Sequence, residues 1–352
     1  MISLADVQSL VAIESVSRNE RALADHVARC LATNTSLEVT RIGDNVVART
    51  LKGAATRLLV AGHLDTVPGD VSLSQIKGDV LWGLGACDMK ASLAAMLHVA
   101  VGSLEGPHDV TFVFYAREEI ARDESGLLEI HRERPELLHA DAAVVGEPTN
   151  GGIEAGCQGT LRIGVTLVGQ RAHTARPFTG RNAIHRLAPL LERVASYEPR
   201  EVTIDGVTYV EQLQAVLVDG GIAANVVPDR VRVTLNHRVA PDRDDTKAAE
   251  WLAGFLGETL EDGDGFVILD WAPAAAPALA NDHLGRLLAL SGAPARAKVG
   301  WTDVATLQSL GVPATNCGAG DPLLAHHPDE HVREADLQAF TSLLARWLAG
   351  DS

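Results

Sequence analysis

Seven residues of this 352-residue chain have the types and positions to gather divalent metal: His63, Asp65, Asp88, Glu118, Glu119, Glu147 and His326. His63 and Asp65 lie in Gly62-His63-Leu64-Asp65-Thr66-Val67-Pro68, directly after the apolar run Leu58-Leu59-Val60-Ala61. In extended backbone residues i and i+2 point the same way. Both side chains therefore face the space beyond a strand's carboxyl end, where open α/β sheets take their ligands. His63 reads as a metal ligand. Asp88 closes Gly83-Leu84-Gly85-Ala86-Cys87-Asp88, ahead of a helix predicted over Met89–Leu97. It serves there either as an N-cap or as a ligand. Glu118 and Glu119 follow the apolar strand Asp109–Tyr115, and Glu147 follows Asp141–Val145 at once. Two neighbouring imidazoles, His326 and His327, come after a short strand over Val312–Asn316.

Five acids on one sheet edge (Asp65, Asp88, Glu118, Glu119 and Glu147) cannot all stay ionised without cations. Two divalent ions resolve the conflict, and a mixed His and carboxylate set suits zinc, with cobalt or manganese as alternatives. Two such ions roughly 3.5–4 Å apart acidify a shared water and polarise a carbonyl. An unliganded carboxylate beside them can move a proton to a leaving amine. The chemistry predicted is hydrolysis of an amide or peptide bond.

The elements that must position these residues alternate strand and helix, as an α/β protein with a mainly parallel sheet requires. Amphipathic helices are predicted over residues 3–14 and 19–33, with strands near 38–42, 45–50 and 57–62. From residue 158 the pattern changes. Strands over 161–169, 212–218, 230–238 and 266–271 and helices over 182–195 and 246–255 give the order β-α-β-β-α-β, a ferredoxin-like α+β arrangement. Within it Val231, Val233 and Leu235 alternate with Arg232, Thr234, Asn236 and Arg238, so one face of this sheet is polar. Ala272-Pro273-Ala274-Ala275-Ala276-Pro277 reads as the linker back, and helices over 282–290 and 334–348 close the chain. The expected domains are a catalytic domain of residues 1–157 and 277–352 and an inserted domain of residues 158–276.

Gly62–Pro68, Gly85–Lys90, Glu118-Glu119 and Gly146–Thr149 stand in the order of the M20 co-catalytic metallopeptidases, which the chain resembles over nearly its whole length. Gly300–Ala305 and Gly320–His326 most resemble its desuccinylase branch. The resemblance implies a zinc-peptidase-like catalytic domain, an inserted lid that makes a homodimer, and a small N-acyl amino acid as substrate. It implies that His63 and Glu147 hold one metal, Glu119 and His326 the other, and that Asp88 bridges them. Asp65 would orient His63 through a hydrogen bond, and Glu118 would be general base and acid. His326 is preferred to His327 because the family's ligand precedes the Asp-Glu pair, here Asp329-Glu330, by three residues. In the lid, His173 would stabilise the oxyanion of the partner's site, and Asn225 and Arg238 would contact substrate, as would Thr302 outside it. Leu84, Ala91 and Arg117 depart from the family's habits, and Arg117 could alter the field on Glu118.

Bulk composition bounds the rest. A formal net charge of −16 speaks against nucleic acid. No apolar run reaches the 18 or so residues of a membrane span, and the first residues carry no signal-peptide pattern. Cys30, Cys87, Cys157 and Cys317 are scattered without a CxxC pair, as suits a reducing cytoplasm.

Overall fold

The structure is a computed structural model that describes residues 2–351. The chain folds as two compact units. One contains the chain up to Gly156, Pro277–Arg296 and the chain from Thr302 onward; the other contains Cys157–Ala276 and Ala297–Trp301.

The first unit is built on a mixed sheet. Strand Arg57–His63 lies at its centre, paired in parallel with Asp109–Tyr115 on one side and Ala142–Val145 on the other. Ala314–Asn316 extends the parallel run beyond Ala142–Val145. The hairpin Glu38–Ile42 and Asn45–Arg49 adds antiparallel strands next to Asp109–Tyr115. Leu58 to Ala61 and Val110 to Tyr115 are buried without alternation, as strands covered on both faces must be. Helix Ala91–Val101 is buried on nearly all sides, and a helix apolar all round belongs in the interior. It comes so close to the central strand that a Cβ on Gly62 would lie 2.7 Å from the side chains of Leu93 and Met89. Because the central strands are parallel, the segments following His63, Tyr115, Val145 and Asn316 emerge at one edge. A smaller antiparallel sheet, Gln75–Lys77, Val80–Trp82 and His331–Arg333, carries two more loops of interest, Gly83–Asp88 and His326–Glu330.

The helix predicted from Met89 begins two residues later, at Ala91. Asp88 (φ −113°, ψ 95°) and Met89 (φ −131°, ψ 36°) are not helical, and the peptide joining them is cis. Asp88 is therefore not an N-cap; Lys90 occupies that position.

In the second unit four antiparallel strands run in the spatial order Gln212–Gly220, Arg230–Val239, Gly159–Val168, Gly265–Ala272. Helices Leu187–Ala195 and Asp245–Leu256 supply the remaining elements of a β-α-β-β-α-β fold. Leu161, Ile163, Val165, Val233 and Leu235 of the sheet join Leu187, Leu190 and Leu252 of the helices in one buried core. The first helix starts at Leu187 rather than Asn182, because the Asn182 side chain accepts the N–H groups of Ile184 and His185 and holds a turn there. A hairpin, Glu201–Ile204 with Val207–Val210, is an addition to the predicted pattern.

Candidate metal centre

His63 is the last residue of the central strand and is buried. Its Nδ1 lies 3.0 Å from the backbone carbonyl of Asp65. An N–H there leaves the Nε2 lone pair for a ligand. Nε2 faces acids: Asp88 Oδ1 at 3.0 Å and Glu147 Oε1 at 3.9 Å. The other oxygen of Asp88 turns toward a second imidazole, with Oδ2 3.7 Å from His326 Nε2. That same nitrogen is 2.8 Å from Glu119 Oε1. The Asp88 carboxylate thus stands between two groups, His63 with Glu147 and His326 with Glu119. His63, Asp88 and Glu119 offer ligand atoms that all lie within 4.8 Å of one another. His327 turns aside, its Nδ1 accepting the Asp329 N–H at 3.1 Å. A cleft of about 720 Å³ opens beside His326, with Trp82, Leu84 and Asp329 among its walls.

The Glu118–Glu119 pair is held by Asp65. Its Oδ1 accepts the Glu118 N–H and its Oδ2 the Glu119 N–H, both at 3.0 Å, while Ser17 Oγ donates to Oδ2 at 2.7 Å. The expected bond from the Asp65 carboxylate to His63 is 3.7 Å long. Orientation of the imidazole falls instead to the Asp65 carbonyl, and the carboxylate orders the acidic turn. Arg117 enters that turn with a positive φ of 64°. Its guanidinium pairs with Glu129 and donates to the Glu124 carbonyl, so its charge is already met by an acid.

The electrostatics are those of a site short of positive charge. Burial alone would lower the proton affinity of His63, but the bond to Asp88 and the charges of Asp88, Glu118 and Asp65 outweigh it and push the pKa well up. His326 is raised to about 9, chiefly by its bond to Glu119. Burial, helped by Glu147 and Glu119, pushes the Glu118 carboxyl well above its usual range. Without cations such a cluster takes up protons; with them the same donors become ligands. Imidazole nitrogens and carboxylate oxygens at these separations fit a divalent ion of the zinc type.

The description Peptidase family M20/M25/M40 matches residues 59–350. The chain belongs to this family. It is 46% identical over 348 residues to a Mycobacterium tuberculosis protein named provisionally as the succinyl-diaminopimelate desuccinylase DapE, covering 97% of this chain and 96% of that one. A succinyl-diaminopimelate desuccinylase of Corynebacterium glutamicum is 42% identical over 349 residues, covering 97% and 95%. Among solved structures, the aminopeptidase PepT of Bacillus cereus superposes with a TM-score of 0.77 at 17% identity, covering 98% and 97% of the two chains.

Of the remaining residues singled out from M20 motifs, His173, Asn225 and Arg238 belong to the second unit and Thr302 to the first. His173 is exposed on a two-stranded ribbon, where it pairs with Val226, next to Asn225. Its Nδ1 accepts the Ala175 N–H at 3.0 Å. Arg238, near the end of its strand, donates to Thr160 Oγ1 at 2.6 Å. Thr302 is 2% exposed and its hydroxyl donates to Asn316 Oδ1 at 2.8 Å, so it supports the segment after Ala314 from within. Two buried acids that the sequence reading quoted only as parts of motifs were given no role there. Asp303 lies beneath the centre, its carboxyl raised by burial. Glu330 reaches back to the Asp88 loop; the sequence reading used it only as part of the Asp329-Glu330 pair that marks His326.

Proposed function

We propose that this chain removes the succinyl group of N-succinyl-LL-2,6-diaminopimelate, releasing succinate and LL-2,6-diaminopimelate on the diaminopimelate route to lysine. What carries the reading is 42–46% identity over nearly the full length to two proteins named as desuccinylases, one of them provisionally, together with a donor set in His63, Asp88, Glu119, Glu147 and His326. The cofactor proposed is a pair of divalent ions, Zn2+ or Co2+, which His63, Glu147, Glu119, His326 and Asp88 would hold. When bound, such ions supply Lewis acidity and acidify water. Glu118 takes a proton from water as the oxygen bonds to the amide carbon, then gives it to the nitrogen as the C–N bond breaks. An acid with raised proton affinity suits both halves of that transfer. Asn225 and Arg238 contact the substrate, and the guanidinium pairs with one of its carboxylates.

The second unit acts in this reading as lid and dimerisation domain. Its strand Gln212–Gly220 is an edge strand, with Val216, Leu217 and Val218 48%, 68% and 57% exposed. An apolar edge is a template for another chain, and a second copy of this one would satisfy it by continuing the sheet. His173 of the partner subunit then donates to the oxyanion. Among the described residues no helix is long and apolar enough to cross a membrane, and the four cysteines form no disulfide; thiols kept reduced suit the cytoplasmic enzyme proposed here.

Metal analysis of protein purified without chelator, with rates on succinyl-diaminopimelate, acetylornithine and a dipeptide panel, tests the reading. About two divalent ions per chain and the highest kcat/KM on the succinyl substrate are expected. Turnover of acetylornithine or dipeptides without the succinyl substrate would move the assignment to another N-acyl amino acid amidohydrolase or peptidase.

A further inference from the structure

The helical turn over Ala86–Lys90 is broken at Asp88. Asp88 and Met89 are non-helical, and Gly85 is left-handed at φ 75°, where an added Cβ would lie 2.7 Å from the Thr66 methyl. Yet among the described residues Asp88 is the carboxylate that faces both His63 and His326, so its position decides whether two ions could share it. The loop's N–H groups converge on a single side chain. Glu330 Oε1 accepts from Cys87 N at 2.8 Å and Asp88 N at 2.9 Å, and Oε2 accepts from Gly85 N at 2.9 Å. The Glu330 backbone carbonyl also accepts the Gly83 N–H at 3.0 Å. Glu330 is 3% exposed, so water does not compete for these donors.

Strand register places Glu330 there. His331–Arg333 pairs with Val80–Trp82, with His331 opposite Trp82 and their rings 4.3 Å apart. Glu330 therefore stands level with Gly83, where the loop leaves the sheet. On its other side, four residues away, is His326. One short strand thus fixes both the imidazole that faces Glu119 and the anion that gathers the Asp88 loop.

We infer that Glu330 is a positioning residue for the metal centre: by accepting the N–H groups of Gly85, Cys87 and Asp88, it fixes the Asp88 carboxylate between His63 and His326. The inference rests on the two-ion reading above. Its role is geometric and does not depend on charge alone. A glutamine at 330 would turn its NH2 toward at least one of the three N–H donors, whereas an aspartate would keep the charge but withdraw it by one methylene.

Cobalt titration of metal-free protein, followed by visible absorption and by electron paramagnetic resonance for exchange coupling of the two ions, tests this. Wild type should bind two equivalents with a coupled signal; if it binds none, the two-ion reading fails before Glu330 is reached. Glu330→Gln and Glu330→Asp should each weaken cobalt binding about 10- to 100-fold, the range for residues that orient ligands, and lose the coupling. Wild-type affinity and coupling in Glu330→Gln would overturn the inference. So would full retention by Glu330→Asp with loss in Glu330→Gln, since that would mark a role for charge alone. Should neither variant fold, hydrogen exchange on metal-free wild type still decides. The Gly85, Cys87 and Asp88 amides should be protected before any ion is added, and rapid exchange there would overturn it.

Discussion

At the scale of single residues, the centre separates side chains that sequence could only group. Glu118 and Glu119 are adjacent, yet only Glu119 lies against an imidazole, at 2.8 Å. Glu118 is the acid whose proton affinity burial and neighbouring carboxylates raise. Glu118→Gln should therefore retain its metal content by elemental analysis while kcat falls by at least about 100-fold, the usual worth of a general acid–base group. The two imidazoles divide in the same way. His326→Ala should lose about half the bound metal, because it removes a donor from one of two sites. His327→Ala should keep both ions, its ring being engaged with the Asp329 N–H. The types and order of these residues were legible because each follows an apolar strand. What was not legible is who bonds to whom at short range. The Asp65 carboxylate was assigned to His63 but serves the Glu118 and Glu119 amides, because backbone N–H groups leave no trace in a sequence.

At the scale of elements, periodicity carried most of the fold. Continuous apolar runs gave the buried parallel strands, and strict alternation over Arg230–Arg238 gave the half-exposed sheet of the second unit. Errors came where side chains overrule propensity: at Asn182, whose amide holds a turn, and at Met89, where the loop is gathered by an acid distant in sequence. A buried cluster in the second unit was equally invisible. Glu211 accepts from Arg200, Arg243 and the Ala240 N–H, with His237 close by and stacked on Trp251. Burial alone would raise the Glu211 carboxyl; the nearby His237 imidazole and the bonds from Arg200 and the Ala240 N–H outweigh it and bring it down to about 2. A carboxyl depressed on folding contributes stability that is present above its unfolded value, 4.5, and is lost as pH falls toward 2. Denaturant unfolding between pH 6 and pH 2.5 or so should show the second unit weakening through that window. Glu211→Gln should cost roughly 3 kcal/mol at neutral pH, as when one partner of a buried ion network is removed, and should flatten that pH dependence.

At the scale of the whole molecule, the proposed dimer makes a claim that neither unit makes alone. His173 is exposed on its ribbon, and among the described residues its imidazole has no bond beyond the one from the Ala175 N–H. An exposed imidazole is useful for catalysis only if another surface receives it, and the apolar edge Val216–Val218 offers a way to bring a second copy near. Leu217→Asp, which sets a charge on that edge, should shift the protein from dimer to monomer in light scattering and lower turnover with it. Mixing gives the sharper test. His173→Ala lacks the donor, and Glu118→Gln lacks the base, so each protein alone should be nearly inactive. If His173 serves the partner's site, a mixed dimer holds one site with both groups intact. Random exchange of equal amounts then restores about a quarter of wild-type activity, half the dimers being mixed and half their sites complete. If His173 serves its own chain, every site in the mixture lacks one group and no activity returns. The recovery should also disappear when both variants carry Leu217→Asp, because chains that cannot pair cannot exchange a histidine.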